Sequence, residues 1–187
     1  PYDIRHNLID IIDSINNLTS SNNLIGSNFS TFDLGNTKVG ESTLENEALD
    51  GFISSNNTAI GYYASRSAYQ SSKNTAIGSY AISCNIYGEG NVGIGYHSLA
   101  GNTNGNLNLG IGNYTLYNNK SGNGNIAIGH GAGYYVDKNT NYKFFVASHP
   151  INENYICDNP CGSGLTPLIY GDLASTVLGI SVNSLHQ

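Results

Sequence analysis

The fold is decided by five short segments that share one pattern: Asn57-Thr-Ala-Ile-Gly61, Asn74-Thr-Ala-Ile-Gly78, Asn91-Val-Gly-Ile-Gly95, Asn108-Leu-Gly-Ile-Gly112 and Asn125-Ile-Ala-Ile-Gly129. The spacing between successive copies is constant, and no insertion breaks it. A small residue follows each final Gly by three positions, at Ala64, Ala81, Ser98, Thr115 and Ala132. Such strict internal periodicity predicts a repeat architecture.

The length and composition of the unit predict β-structure. Helix-pair repeats need about 33 residues or more, which a 17-residue unit cannot supply. Frequent Gly and Asn also disfavour helix. Large and small residues alternate within each segment, which is the period of a strand. We therefore expect two short strands per unit, joined by Asn/Gly turns and stacked about 4.8 Å from the next unit, as in a β-solenoid.

The alternation also predicts which residues point inward. We expect the larger residues, among them Thr58, to fill the inside of the coil. The predicted repeat core consists of Ile60, Ile77, Ile94, Ile111 and Ile128. Glycines would form a close-packing strip that admits another backbone, at Gly61, Gly78, Gly95, Gly112 and Gly129. Contact with another chain is the favoured interpretation of this strip, and tight bends are the alternative. The Asn that begins each unit forms either a stacked ladder or a left-handed turn.

The N-terminal segment 1–20 carries a heptad pattern. The apolar seam, spaced 4, 3, 4 and 3, comprises Ile4, Leu8, Ile11, Ile15 and Leu18. Isoleucine at both core positions favours trimers, so the sequence predicts the end of a trimeric coiled-coil stalk. A single amphipathic helix lying on the solenoid is the alternative.

These patterns divide the chain into four parts. We predict a coiled-coil stalk end at 1–20, an adaptor at 21–55, repeats at 56–141 and a β-rich cap at 142–187. Phe145 follows Ile128 by one further repeat unit, which predicts that it continues the repeat. Two apolar runs, 166–171 and 177–182, predict a β-hairpin that closes the open end of the stack.

The composition excludes several classes of function. The net charge is −6 and charged residues make up only 11% of the chain, without a basic run, so we expect no nucleic-acid binding. No apolar run is long enough to insert into a membrane. The chain begins with Pro1 instead of Met, which indicates a fragment.

The repeated unit Asn-x-Ala-Ile-Gly-x-x-Ala, over residues 56–133, resembles the head repeats of trimeric autotransporter adhesins, the YadA-like β-roll. The segment 166–172 with 177–182 is similar to the ends of phage and large-virus fibre proteins. The resemblance implies an all-β fold, a trimeric left-handed parallel β-roll joined to a coiled coil. It further implies a homotrimeric fibre segment for host attachment, on a virion surface or alternatively on a bacterial cell surface.

Catalytic chemistry has few residues to use. Residues 56–133 contain one carboxylate, Glu89, so we expect no enzyme activity, no cofactor and no metal. Alternation predicts that His97 and His130 point to opposite faces. Cys84 has no partner pattern, whereas Cys157 and Cys161 are free thiols, a local disulfide or metal ligands.

Aromatic residues near the repeat turns are candidates for surface binding to a host glycan or protein, namely Tyr62, Tyr63, Tyr80, Tyr96 and Tyr114. Ordinary packing is the alternative role for these rings. A passive spacer or decoration protein is the competing function, and ice binding would need a longer Thr ladder than Thr58 and Thr75 provide.

Overall fold

The computed structural model describes residues 35–45, 54–147, 169–175 and 177–180. These residues form one nine-stranded sheet, whose strands follow one another in chain order. The strands are β1 (Thr37–Val39), β2 (Thr58–Ile60), β3 (Thr75–Ile77), β4 (Val92–Ile94), β5 (Leu109–Ile111), β6 (Ile126–Ile128), β7 (Lys143–Val146), β8 (Ile169–Asp172) and β9 (Val177–Ile180).

Strands β1 to β7 pair in parallel, each with the next one along the chain. Equivalent residues lie opposite one another, as Thr58 does Thr75 and Ile60 does Ile77. The chain therefore winds as a β-solenoid of about six turns, and the described residues contain no helix. The predictions of an all-β fold and of a repeating solenoid are confirmed.

Each coil contains one strand, not the two that we predicted. The remainder of the coil is built from turns, because several non-glycine residues have left-handed backbone, among them Tyr80 (φ 57°) and Ile82 (φ 51°). Backbone of this kind cannot continue a strand, whose φ is negative. The turns still bond to their neighbours in the stack, as when the N–H of Leu99 donates to the carbonyl of Thr115 (2.8 Å).

The predicted orientation of the strands is wrong. The residues at the strand centres point inward and are fully buried where they are Ala, as at Ala59, whereas Ile60 is 37% exposed. Ile77, Ile94, Ile111 and Ile128 have the same outward position as Ile60. The repeat core that we expected therefore lies on the surface of the coil.

The narrow interior explains this orientation. A Cβ on Gly93, at the centre of β4, would lie 2.7 Å from Cγ1 of Ile82. Across the coil from the strand stands an aliphatic column, which consists of the buried residues Leu44, Ile82, Leu99 and Leu116. These side chains occupy the interior from the opposite wall, so Ala or Gly stands at the centre of β2 to β6. The equivalent residues of β1 and β7 are Lys38 and Phe145.

Asparagine fills much of the remaining interior. The first Asn column, Asn57, Asn74, Asn91, Asn108 and Asn125, is buried and forms a stacked ladder, the first of the two alternatives that the sequence left open. Nδ2 of Asn91 donates to Oδ1 of Asn74 (3.1 Å) and to the carbonyl of Gly105 (2.8 Å). Its Oδ1 accepts the N–H (3.0 Å) and the Nδ2 group (3.1 Å) of Asn108. A second Asn column, Asn85, Asn102 and Asn119, is bonded in a similar way. Burial of these amides is tolerated because their polar groups are bonded.

The close-packing strip brings backbones together within the chain itself. Its glycines have φ between 107° and 132°, a region that other residues rarely adopt. A Cβ on Gly95 would lie 2.6 Å from the carbonyl carbon and oxygen of Gly112 in the next coil. Turn geometry and coil stacking thus account for the glycines, as the alternative interpretation held, and contact with another chain does not need to be invoked.

The stack begins earlier than the predicted boundary at residue 56. Strand β1 lies in the segment assigned to the adaptor and pairs with β2, with Thr37 opposite Thr58. Asn36 belongs to the first Asn column, since its Oδ1 accepts the N–H of Asn57 (2.8 Å). The boundary was misplaced because this coil is longer than the others, so that the equivalent residues Val39 and Ile60 fall outside the 17-residue spacing.

The last coil also departs from the 17-residue spacing. Ala127 lies opposite Phe145 and Ile128 opposite Val146, so the predicted equivalence of Ile128 and Phe145 is wrong by one residue. Strand β8 then pairs antiparallel with β7, and β9 with β8. Lys143 Nζ and Asp172 Oδ2 form an ion pair (2.7 Å), and this lysine lowers the pKa of the Asp172 carboxyl.

The predicted coiled-coil residues Ile4, Leu8, Ile11, Ile15 and Leu18 lie outside the described residues, as do Cys157 and Cys161. The coiled coil, the trimer, the left hand of the roll and the closing role of the C-terminal strands stay predictions.

The role of the turn glycines is tested by comparing Gly95 with Gly90, which belongs to a column where other residues also have left-handed backbone. We expect Gly95→Ala to lower the free energy of unfolding by about 3 kcal/mol or more, because strain at φ 129° adds to the clash with Gly112. Gly90→Ala should cost about 1–2 kcal/mol, because Asn56, Lys73 and Leu107 adopt the same left-handed conformation in other coils. Its Cβ would come closest to Cδ2 of the exposed Leu107 side chain (2.8 Å), which can move aside. Thermal and urea unfolding followed by circular dichroism measures both, and equal losses would contradict this account.

The Asn ladder is tested by deleting one buried amide. Asn91→Ala leaves the backbone N–H of Asn108 without its acceptor. It also removes one of the two hydrogen bonds of the Asn108 Nδ2 group and one of the two that the Gly105 carbonyl accepts from asparagine side chains. We expect a loss of about 2–4 kcal/mol in the free energy of unfolding. The exposed Asn104 is the matched control, and Asn104→Ala should change stability by less than about 0.5 kcal/mol. A loss at Asn91 no larger than at Asn104 would show that the ladder does not stabilise the fold.

Candidate binding surface

The outward side of the strands forms an uncharged and largely apolar surface, the apolar strand face, in which threonine occupies one position of each of the first three strands. It consists of Thr37, Val39, Thr58, Ile60, Thr75, Ile77, Val92, Ile94, Leu109, Ile111, Ile126, Ile128, Phe144 and Val146. None of these residues is charged, and Ile111 and Ile128 are each 38% exposed. With seven strands at about 4.8 Å and three residues at about 3.3 Å each, the face measures about 30 Å by about 10 Å.

A second surface follows where the chain turns away from the strands. Rings from successive coils contact one another there and form the aromatic ladder, which consists of Tyr62, Tyr63, Tyr80, Tyr96, His97, Tyr114, Tyr117, His130, Tyr134 and Tyr135. The ring centroids of contacting neighbours lie 4.1–6.4 Å apart. Aromatic pairs at such distances add to stability beyond the area that they bury.

The backbone holds the ladder in place. The N–H of Tyr80 donates to the carbonyl of Tyr62 in the preceding coil (2.8 Å), and Tyr114 bonds to Tyr96 in the same way (2.8 Å). Tyr63, Tyr80, His97 and Tyr114 share a left-handed conformation, with φ between 54° and 59°. The ring positions are therefore set by the coil repeat and not by a flexible loop.

His97 is the centre of the best-aligned part of the ladder. Its ring is parallel to that of Tyr80 (4.8 Å, 2°) on one side and to that of Tyr114 (5.4 Å, 4°) on the other. Burial lowers the pKa of His97, and its Nδ1 atom is buried without a hydrogen bond among the described residues. The neutral imidazole is consequently the favoured form in this stack.

The first described rings of the ladder differ in their electrostatics. A side-chain hydrogen bond with Tyr63 raises the pKa of Tyr62 to about 12, so this phenol stays neutral. The Arg66 guanidinium lies 4.5 Å from the centroid of the Tyr63 ring and forms an ion pair with Glu45 (2.7 Å). This exposed pair adds little stability.

The structure brings the five predicted tyrosines together in one ladder. The prediction that His97 and His130 face opposite ways is wrong, since both rings contact Tyr114. Strand alternation does not apply to them because they lie in turns. Sequence reasoning also missed Tyr117, Tyr134 and Tyr135. The 17-residue spacing carried the signal, since it relates His97 to Tyr80 and Tyr134 to Tyr117.

Other chemistry-bearing groups are sparse in the part of the chain that the structure describes. Cys84 is an exposed free thiol. No group of three or more His, Cys, Asp or Glu side chains is placed to hold a metal ion within residues 35–45, 54–147, 169–175 and 177–180. Over the same ranges the structure has no helix with the length and hydropathy of a membrane span.

No protein-family model matches this sequence, and comparisons with curated proteins and with solved structures find no significant similarity. The resemblance to trimeric adhesin heads therefore stays a prediction from the repeated motif.

The stacked imidazole predicts a pH dependence of stability. Because the pKa of His97 is lower in the folded state than the usual value of about 6.5, the unfolded state takes up the proton first as the pH falls. The melting temperature should therefore decrease from about pH 6.5 downwards, until the folded-state pKa is passed. His97→Phe keeps a stacking ring but cannot titrate, so this part of the pH dependence should disappear.

Differential scanning calorimetry between about pH 5 and pH 8 measures the effect. The exposed His130 provides the matched control, and His130→Phe should retain the wild-type dependence. An unchanged pH profile in the His97→Phe variant would contradict the prediction.

Proposed function

We propose that this chain is a structural and adhesive segment of a homotrimeric surface fibre, in which three solenoids pack through their apolar strand faces. The observation that carries the proposal is the outward row of aliphatic side chains on a coil whose own interior has no room for them. At about 30 Å by about 10 Å, the face covers about 300 Å², which is the size of the largest apolar patch on a typical monomer, and such patches are often functional.

A second copy of the same chain is the occupant that fits this face. The side chains repeat at the strand spacing of about 4.8 Å, and an identical solenoid repeats at the same distance, so rows of Ile can interdigitate coil by coil. The face carries no charge, so identical faces meet without like-charge repulsion. Three copies, in place of two, are inferred from the heptad seam at residues 4–18 and from the resemblance to trimeric fibres.

The fibre role rests on the rigidity of the repeat. Backbone bonds join each coil to the next at the strands and at the turns. A trimer of such coils would hold its outer rings at fixed distances from a virion or, alternatively, from a bacterial surface. We propose host attachment through those rings, without enzyme activity, cofactor or membrane insertion.

The face is tested by placing charges on it. Three chains of 19.9 kDa should give a solution mass of about 60 kDa by light scattering. The double variant Ile94→Lys with Ile111→Lys should keep the solenoid circular dichroism, because both side chains point outward. Its trimer should dissociate at a protein concentration at least about 100-fold higher, since buried unpaired charges oppose association.

Leu107→Lys is the matched control. Leu107 is 71% exposed and is not one of the residues of the apolar strand face, and Lys73 occupies the equivalent position in another coil. This variant should dissociate like the wild type. A wild-type mass of about 20 kDa would refute the trimer. Equal dissociation of the double variant and the control would refute association through the apolar strand face.

A further inference from the structure

The aromatic ladder has an inner and an outer row. The inner row consists of Tyr63, Tyr80, His97 and Tyr114, which share a left-handed backbone conformation. Within it the rings of Tyr80 and His97 are stacked. The outer row precedes it by one residue in each coil and consists of Tyr62, Ser79, Tyr96, Asn113 and His130. Tyr62 (40%) and Tyr96 (41%) are the exposed tyrosines of this row. Rings therefore alternate with small polar side chains along its first four coils.

The exposed rings have a defined orientation. In the inner row the Tyr80, His97 and Tyr114 rings are parallel to within 4° and stack from coil to coil. Tyr62 and Tyr96 lie at 80° and 88° to the Tyr80 ring. Both outer rings are thus nearly perpendicular to the Tyr80 ring, and the coil repeat holds them two coils apart along the solenoid.

The exposed rings of Tyr62 and Tyr96 are two platforms on which a ligand can stack. The distance between them discriminates between extended polymers. Tyr62 and Tyr96 are separated by two coils, or about 9.6 Å. Side chains on one face of an extended peptide recur about every 6.6 Å, which does not match this distance. An extended chain of β-linked sugars advances by a distance close to two coils for every two rings. The repeat length of a polysaccharide therefore matches the distance between Tyr62 and Tyr96 better than the repeat length of a peptide does.

The polar groups and the charge of the two rows limit the class of ligand that this surface can bind. Oδ1 of Asn113 accepts the backbone N–H of Tyr96 (2.9 Å), which leaves its Nδ2 group as a donor beside the second platform. Ser79 supplies a hydroxyl between the platforms. From Tyr62 to His130 neither row contains Asp, Glu, Lys or Arg, and Arg66, which lies over the Tyr63 ring, is paired with Glu45. The two rows therefore offer an anionic polymer no unpaired cation. Apolar platforms with a few placed polar groups are typical of sites for neutral ligands.

We propose that the outer row is a binding track for an extended, neutral, β-linked polysaccharide, whose sugar rings stack on Tyr62 and Tyr96. The track lies along the solenoid, and one chain contacts at least three successive coils. This inference specifies the attachment role of the proposed fibre and rests on it, but it does not require the trimer contact to run through the apolar strand face.

The experiment uses the intact chain and isothermal titration calorimetry with neutral β-1,4-linked oligosaccharides. The probes are the hexamers of glucose and of N-acetylglucosamine, and the corresponding disaccharides. A hexamer should bind at least about tenfold more tightly than its disaccharide, because only the longer chain reaches both platforms. Tyr96→Ala and Tyr62→Ala should each weaken hexamer binding at least about tenfold, and Tyr96→Phe should retain it.

Tyr87→Ala is the matched control, since Tyr87 is 51% exposed and makes no ring contact with the ladder. Its binding should equal that of the wild type. The circular dichroism and solution mass of every variant are recorded. Absence of hexamer binding by a wild-type trimer would overturn the track while leaving the fibre intact. An equal loss of hexamer affinity in the Tyr87→Ala variant would also overturn the track. So would a lower solution mass of the Tyr96→Ala variant, because it would show that the Tyr96 ring takes part in a contact between chains.

Discussion

The narrow interior of the coil is the constraint on which the rest of the structure depends. Aliphatic side chains enter most of the coils from the turns opposite the strand, and Ile82 meets Gly93 at the strand centre. Two further interior columns hold asparagines, because an amide that is hydrogen-bonded to the equivalent amides of the coils above and below is satisfied without water. Few large apolar groups are therefore buried, and hydrogen bonds that repeat from coil to coil carry much of the stability.

This constraint also determines the surface. Since strand side chains alternate, small inward residues at the strand centres leave both flanking positions outward, where the larger Val92, Leu109 and Ile126 and the isoleucines stand. Left-handed turns then place Tyr80, His97 and Tyr114 above one another. Inner and outer columns follow one translation along the axis, so a surface built on this fold is periodic by construction.

The sequence allowed the solenoid and the position of every strand from β2 to β6 to be predicted, because an uninterrupted spacing fixes equivalent residues whatever the coil shape. The Asn ladder was one of two alternatives that the sequence left open. The sequence also contained the missed first coil, since Asn36-Thr-Lys-Val-Gly40 repeats the pattern of the other segments. A strict period could not find that coil, because the coil is longer than the repeat unit. The orientation of the strands failed for another reason. Alternation shows that two faces differ, but the room inside a coil decides which face is inward.

The difference between what the sequence spacing fixes and what the shape of the coil decides also explains which residues of the candidate surfaces could be predicted. The tyrosines were identified because aromatic side chains near turns are conspicuous, whereas His97 was assigned by strand alternation although left-handed backbone governs its direction. Turn conformation could not be predicted there, because Tyr, His and Gly all occupy that column. The interior demands small residues and amides, but it places no such demand on the outer columns. Residues on the apolar strand face and in the outer row can therefore vary from coil to coil without disturbing the core, which makes them the positions where a stacked fold can acquire partners.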